Sequence, residues 1–291
     1  MKKYIYLSLS LSFLMACGDA DVEEAVVEQE VVPTTEILER AEKAQLVFKT
    51  IPSPLETVTL FKEAGVGYNS NLTSPVENVR NYTESAKKAI NLGVYGADLS
   101  FANMFDQTQE SMFFMNCAKI LADGLGVTSA FSVETMERLE TNMNNRDSLL
   151  ILVNDAFWIT DAHLKENGQD HISTLIIAGG WVEGLYIGAS SINPENPSKA
   201  MMQRVADQKY SLNNLIELLD TFENEDLITF SNQLKELQKV YDKIGLKKGK
   251  TSVKNNGGSY TIAGGNELTF DSTIIAEITA EIKKIRNEII Q

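Results

Sequence analysis

Residues 172–192 limit the architectures open to this chain, because they form its most apolar stretch beyond the N-terminal segment. Glu183 is the one charged side chain among them. A helix needs about 20 apolar residues to cross a bilayer, so length alone would permit a membrane span. Glu183 near the middle, several glycines and the lack of basic flanking residues favour instead the central helix of a soluble bundle. Membrane insertion through residues 172–192 is kept as an alternative.

Glycines within this stretch predict a close helix crossing. Gly180, Gly184 and Gly188 are four residues apart, so on a helix they form one smooth ridge that a second helix can approach. The sequence Gly-Leu-Tyr at 184–186 also repeats the Gly-Val-Tyr at 93–95. This short match is compatible with a fold of two similar halves.

The remaining pattern predicts an all-α fold. Apolar side chains recur at helical spacing from residue 34 to the C terminus, which indicates one domain of roughly eight to ten helices packed as antiparallel hairpins. Alternating residues at 259–262 and 267–270, on either side of a glycine turn, predict a small β-hairpin near the C terminus.

Several helix starts can be predicted from capping residues. Ser53 and Ser74 each precede a proline and stand three residues before a glutamate, which is the pattern of a capping box. Ser132, Asp147 and Asp271 are predicted to cap later helices.

Three acids lie within apolar helical segments and are candidate functional groups: Asp98, Asp155 and Glu183. Burial would raise their pKa values, and perturbed acids often mark functional sites, although structural hydrogen bonding explains them as often. Convergence of the three on one cavity would favour an enzyme. Aromatic and methionine side chains also concentrate between residues 95 and 115, and we interpret them as core, with an adaptable pocket for an apolar ligand as the alternative.

A metal site is a weaker hypothesis. His163 and Glu166 are three residues apart and share one helix face, a spacing found in carboxylate-bridged metal sites. The pair also resembles the imelysin-type GxHxxE motif, but Asp161 stands at the glycine position. A metal needs three or four convergent ligands, and the one other histidine is His171. We therefore predict no metal and no cofactor.

The N terminus carries a targeting signal. Lys2 and Lys3 precede an apolar segment, residues 4–15, that is too short to span a bilayer, as in a secretory signal peptide of residues 1–16. The sequence Leu14-Met15-Ala16-Cys17 that ends it resembles the lipobox of bacterial lipoproteins. The resemblance implies diacylglycerol on the Cys17 thiol, cleavage before Cys17 and acylation of the new amino terminus. Two or three acyl chains would anchor the protein firmly.

Residues 17–33 are predicted to form an acidic tether behind the anchor. Gly18 occupies the place where an aspartate would favour retention in the inner membrane, so the resemblance implies the outer membrane. The acids between Asp19 and Glu24 also resemble the surface-export signal of some lipoproteins.

Charge and cysteine content narrow the function classes. The net charge is −14, and removal of residues 1–16 takes away two lysines and no acid, which leaves −16. Such a surface repels nucleic acid and anionic headgroups, so the lipid is the predicted membrane attachment. With Cys17 acylated, Cys117 has no partner for an intramolecular disulfide, and we predict that it is a buried hydrophobe.

The sequence therefore predicts a lipid-anchored protein of the bacterial cell envelope. No catalytic constellation is recognisable, so we predict a binding or scaffold module, with a protein or an apolar ligand as partner, rather than an enzyme. A metal-dependent protein using His163 and Glu166, and a membrane-inserted component through residues 172–192, are the alternatives.

Overall fold

The structure is a computed structural model that describes residues 67–291, apart from short gaps at 129–131, 143–144, 250–251, 257–258 and 264–266. Cys17, the tether and the helix start predicted at Ser53 lie outside the described residues.

The described part of the chain is mainly α-helical, which confirms the predicted fold class. Two short 3-10 helices, Ser70–Leu72 and Val76–Arg80, come first. They are followed by α1 (Ser85–Met104), α2 (Thr108–Gly124), α3 (Val133–Thr141), α4 (Arg146–Glu166), α5 (Asp170–Ser190), α6 (Lys199–Leu219), α7 (Glu225–Tyr241) and α8 (Ser272–Ile289).

Capping explains where several of these helices begin. Ser132 accepts a hydrogen bond from the Thr135 amide at the start of α3, and Asp271 accepts one from Ile274 at the start of α8, as predicted. Helix α4 is capped by Asn145 rather than by Asp147, which lies inside the first turn. The predicted assignment was wrong there because both residue types suit the position.

The capping box predicted at Ser74 does not form. Pro75 precedes the 3-10 helix Val76–Arg80 and caps it without a side-chain hydrogen bond. Ser74 is buried, and both its amide and its hydroxyl bond to residues far along the chain. Tertiary contacts thus outweigh the local capping preference at this position.

Two small antiparallel strand pairs lie between α7 and α8. Strand β1 (Gly245–Lys247) pairs with β4 (Glu267–Thr269), and β2 (Ser252–Asn256) pairs with β3 (Ser259–Ala263). A hairpin near the C terminus is confirmed, but the predicted pairing of its strands was wrong. Two residues, Gly257 and Gly258, separate β2 from β3, which is the commonest hairpin spacing, whereas the predicted turn around Gly264 and Gly265 has four.

Helix α5 lies at the centre of the fold and packs against α1, α4, α6 and α8. Among the described helices it alone is long and apolar enough to cross a membrane, and 89% of its most apolar window is buried inside the protein. Protein contacts therefore already cover the apolar side chains of this helix, as the prediction of a central helix requires.

Helices α1 and α5 cross at a very short distance through two glycines. A Cβ atom at Gly93 would lie 2.0 Å from the carbonyl oxygen of Ile176, and one at Gly179 would lie 1.9 Å from that of Ile90. Neither site can hold a larger side chain without a shift of the backbone. Of the predicted ridge, Gly180 lies at the crossing, since a Cβ atom there would be 3.4 Å from the Gly93 carbonyl oxygen, whereas one at Gly184 would meet nothing within 4 Å. Gly93 and Gly184 thus differ in packing, although they begin the same Gly-x-Tyr sequence.

Candidate functional site

Two of the three candidate acids lie together in the core. Asp98 of α1 and Glu183 of α5 are both 0% exposed, and their carboxyl groups lie close enough that each affects the pKa of the other. Asp155 is exposed on α4 and takes no part in this contact. The acids therefore form a pair rather than a triad.

The counter-charge is Arg286 of α8, which is 5% exposed. Its Nε donates to Glu183 Oε2 and its Nη2 donates to Oε1, both at 2.9 Å, in the bidentate arrangement that suits a carboxylate. The guanidinium carbon also lies 4.7 Å from the centre of the Tyr186 ring. Glu183 thus meets the strongest type of hydrogen-bonding partner that a side chain offers.

Arg286 was missed by the sequence analysis. It lies four residues after Ile282 and directly after Ile285, and both of these isoleucines are buried. A cation on the buried face of an isoleucine helix requires a buried acidic partner. The position of Arg286 on that face is therefore the sequence signal that indicates its role.

Residues 67–84, here called the strap, cover the pair. The Ser74 amide donates to Asp98 Oδ2 at 3.0 Å, and the Ser74 hydroxyl accepts from Arg286 Nη2 at 2.9 Å. Farther along the strap, Asn78 and Tyr82 donate to the carbonyl oxygen of Ile290. One serine therefore contacts both an acid and the cation of the cluster.

Of the two buried acids, Asp98 is the one that favours a proton. Burial, followed by the charge of Glu183, raises the pKa of Asp98 well above its ordinary value. Burial also raises the pKa of Glu183, but the hydrogen bonds from Arg286 oppose this rise. Within the described part of the chain, Asp98 Oδ1 has no hydrogen-bond partner, so a negative charge on this carboxyl group would be poorly compensated at that oxygen.

Arg286 stays charged in this environment. Burial lowers its pKa, but the hydrogen bonds to Glu183 and the charge of that residue outweigh this effect, so its pKa is raised overall. With a proton on Asp98, the cluster contains one carboxylate and one guanidinium and carries no net charge.

The cluster is closed to solvent. A small cavity beside α1 is lined by other residues and does not include Asp98, Glu183 or Arg286. That cavity has a volume of about 10 Å³ and an apolar lining from α1 to α4 that includes Leu92, Leu99, Ala118, Leu139 and Phe157. It is too small for an organic ligand. The buried aromatic and methionine side chains between residues 95 and 115 pack in the core: Tyr95, Phe101, Met104, Phe114 and Met115.

His163 and Glu166 do not converge with further ligands. His163 is half-buried and Glu166 is exposed. Asp161, on the same helix, accepts hydrogen bonds from Lys165 and from Ser173 of α5. Among the described residues, no group of three or more His, Cys, Asp or Glu side chains could hold a metal ion.

Large apolar side chains are exposed on two of the helices, α2 and α4. Met112, Phe113 and Ile120 lie on one face of α2, and Ile151 and Ile159 lie on one face of α4. The residues between and around them include Asp155, which shares the exposed face of α4. We call these two surfaces the α2 face and the α4 face.

Comparison with protein-family models, curated proteins and solved structures found no match to this chain.

Proposed function

We propose that this chain is a lipid-anchored protein of the bacterial cell envelope that works as a binding or scaffold module. The attachment rests on the signal peptide and on the lipobox-like sequence ending at Cys17. Residues 18–66 separate this anchor from the described domain. A chain of that length would let the domain stand away from the membrane, and anionic lipid would repel its acidic surface. The outer membrane is the proposed destination.

The observation that carries the binding role is the exposure of large apolar side chains on the α2 face and the α4 face. Ile151 is 62% exposed and Phe113 is 48% exposed. Grouped apolar side chains on a protein surface commonly mark contacts with other proteins. The polar cluster at Asp98, in contrast, is enclosed and offers no substrate access, so binding is better supported than catalysis.

The chemistry of the α4 face suggests the type of partner. Asp155 lies one helical turn after Ile151 and one before Ile159, so an acid is set among apolar side chains. A protein surface with apolar side chains and a lysine or arginine near their centre would match this arrangement.

Lipid attachment can be tested in a bacterium that makes the full chain and is fed a labelled fatty acid. We expect label in the wild-type protein and none in Cys17→Ser, which should also leave the membrane fraction. Cys117→Ser is the matched control and should keep the label, because Cys117 is buried. Equal labelling of all three proteins would refute the proposed anchor.

Protein binding can be tested by cross-linking in the same cells. The variant Ile151→Lys/Ile159→Lys should lose a cross-linked partner that the wild type retains. Ile228→Lys on α7 is the control, because Ile228 is 47% exposed and Ile159 is 43% exposed. The binding role of the α4 face would be wrong if both variants gave the wild-type cross-links.

The two alternatives have direct tests. Metal analysis of purified wild type and His163→Ala would support a metal-binding function only if the wild type held metal that the variant lost. Insertion through residues 172–192 would be refuted by a soluble, monodisperse Cys17→Ser protein lacking the signal peptide.

A further inference from the structure

The strap is held to the helical body by a small number of polar contacts. Ser74 bonds to Asp98 and Arg286, and Asn78 and Tyr82 bond to the carbonyl oxygen of Ile290. The regular structure of the strap consists of two short 3-10 helices, of three and five residues. The strap therefore depends on tertiary contacts for its position far more than the long helices beneath it do.

The cost of keeping the strap closed depends on the charge state of the acid pair. The hydrogen bond from the Ser74 amide favours an ionised Asp98, but burial of a second negative charge opposes it more strongly. Asp98 and Glu183 are both fully buried, and Arg286 is the one cation that touches them within the described part of the chain. One guanidinium can balance one carboxylate. The cluster of the two acids and Arg286 is thus neutral while the pair holds a proton, and it carries an unbalanced buried negative charge once the proton is lost.

The other titratable groups near Asp98 do not supply a second positive charge. They are Tyr186 of α5, Tyr95 of α1, Cys117 of α2 and Tyr68 of the strap. Each of them is neutral when protonated, and burial raises the pKa of each. Deprotonation of Asp98 would therefore set two carboxylates in contact against a single cation.

We propose that the Asp98–Glu183 pair is a proton-dependent clasp, which holds the strap against α1 and α8 while the pair shares a proton and releases the strap when that proton is lost. Water can stabilise the second carboxylate only by reaching Asp98, and the strap is the weakest element that covers it. Helices α1, α5 and α8 stay in place because the glycine crossing and the buried isoleucines do not depend on this proton.

The strap is also the route from residues 1–66 into the helical body. If the proposed anchor at Cys17 is correct, release of the strap would change how the body is held relative to the membrane. The clasp itself rests only on the described residues and does not depend on the anchor or on the partner.

Cys117 provides a probe for strap opening. Its Sγ lies 3.7 Å from the carbonyl oxygen of Val76, and the residue is buried. We would measure the rate at which a thiol reagent modifies Cys117 in the full chain carrying Cys17→Ser, between pH 6 and 10. The same chain with Asp98→Asn is the control, since asparagine resembles the protonated acid but cannot ionise. The charge of Asp98 raises the pKa of Cys117, so its ionisation alone would slow the reaction of the unsubstituted protein. A ratio of the two rates above one therefore reports exposure of the thiol.

We expect the two proteins to react at equal rates at pH 6. At pH 10 the protein that retains Asp98 should react at least tenfold faster than the Asp98→Asn variant. A ratio near one at every pH would overturn the proposal. Loss of helical circular dichroism in parallel with the rise would also overturn it, because the whole domain would then have unfolded.

A second measurement does not need the variant to fold. Deuterium uptake of peptides from the strap, corrected for the intrinsic pH dependence of exchange, should rise with pH in the wild type, while peptides from α7 stay protected. Uptake that rises equally in both regions, or in neither, would contradict the clasp.

Discussion

Arg286 and Glu183 are 103 residues apart in the chain, yet the guanidinium donates to both carboxylate oxygens at 2.9 Å. This contact joins the last helix to the central one, and Ser74 adds the strap to the same cluster. Burial of two ions is costly, and a well-packed apolar replacement can be as stable. The gain from such a pair is a fixed relative placement of α5 and α8, because a carboxylate and a guanidinium accept few substitutes.

Removal of the arginine should be strongly destabilising. In Arg286→Met, Glu183 would stay in the core without its cation and without two hydrogen bonds. We expect a loss of about 3–5 kcal/mol in the free energy of unfolding, measured by urea denaturation. The double variant Arg286→Met/Glu183→Leu should recover much of this loss, since no buried charge is then left without a partner. A double variant as unstable as the single one would show that the charge is not the cause.

The Asp98 proton should make stability depend on pH. Its pKa is raised in the folded protein, so the folded state binds a proton that the unfolded state has released above its ordinary pKa of 3.8. Stability from this group is complete below that value and falls as pH rises toward the folded pKa, by about 1.4 kcal/mol per pH unit. Asp98→Asn should remove this slope and be the more stable protein at pH 8. Parallel stability curves for the two proteins from pH 5 to 8 would contradict the raised pKa.

Ser74 should matter more for stability than its position between two short 3-10 helices suggests. Ser74→Ala removes the hydroxyl that accepts from Arg286 Nη2, and leaves that nitrogen with Glu183 and a longer 3.5 Å contact to the Leu72 carbonyl. We expect a loss of about 1–3 kcal/mol in thermal or urea unfolding. Ser70→Ala in the first 3-10 helix is the control and should be nearly neutral, because Ser70 is exposed. Equal losses in both variants would indicate a local effect on the strap.

The fold class could be predicted because helical periodicity is a local property of the sequence. The isoleucine stripe of α8 and the break between α1 and α2 depend on spacing within a few residues, so both can be recognised in the sequence. Strand pairing was harder to predict, because the glycine pairs at 257–258 and 264–265 both indicate a turn. The first pair, and not the predicted second one, separates two strands that pair with each other.

The candidate site was only half predictable for a related reason. Asp98 and Glu183 attracted notice because acids are rare in apolar helices, but Asp155 met the same criterion and is exposed. Which acid is buried depends on the angle at which each helix packs, and no local pattern contains that angle. Ser74 and Arg286 join the cluster through contacts between residues 24, 103 and 212 positions apart. Local patterns instead indicated a helix cap at Ser74 and an isoleucine stripe around Arg286.

The glycine crossing of α1 and α5 gives a test of the packing itself. Gly179→Ala would place a methyl group 1.9 Å from the Ile90 carbonyl oxygen, which is backbone and cannot rotate away. Overpacking of this kind costs about 1–3 kcal/mol, and the gain in helix propensity offsets only about 1 kcal/mol of it. Gly184→Ala lies on the same helix with open space around the new methyl group, so it should keep the full propensity gain and raise the melting temperature. The two substitutions are chemically identical and lie five residues apart on one helix. Opposite changes in melting temperature would place the crossing at Gly179, whereas changes in the same direction would contradict that position.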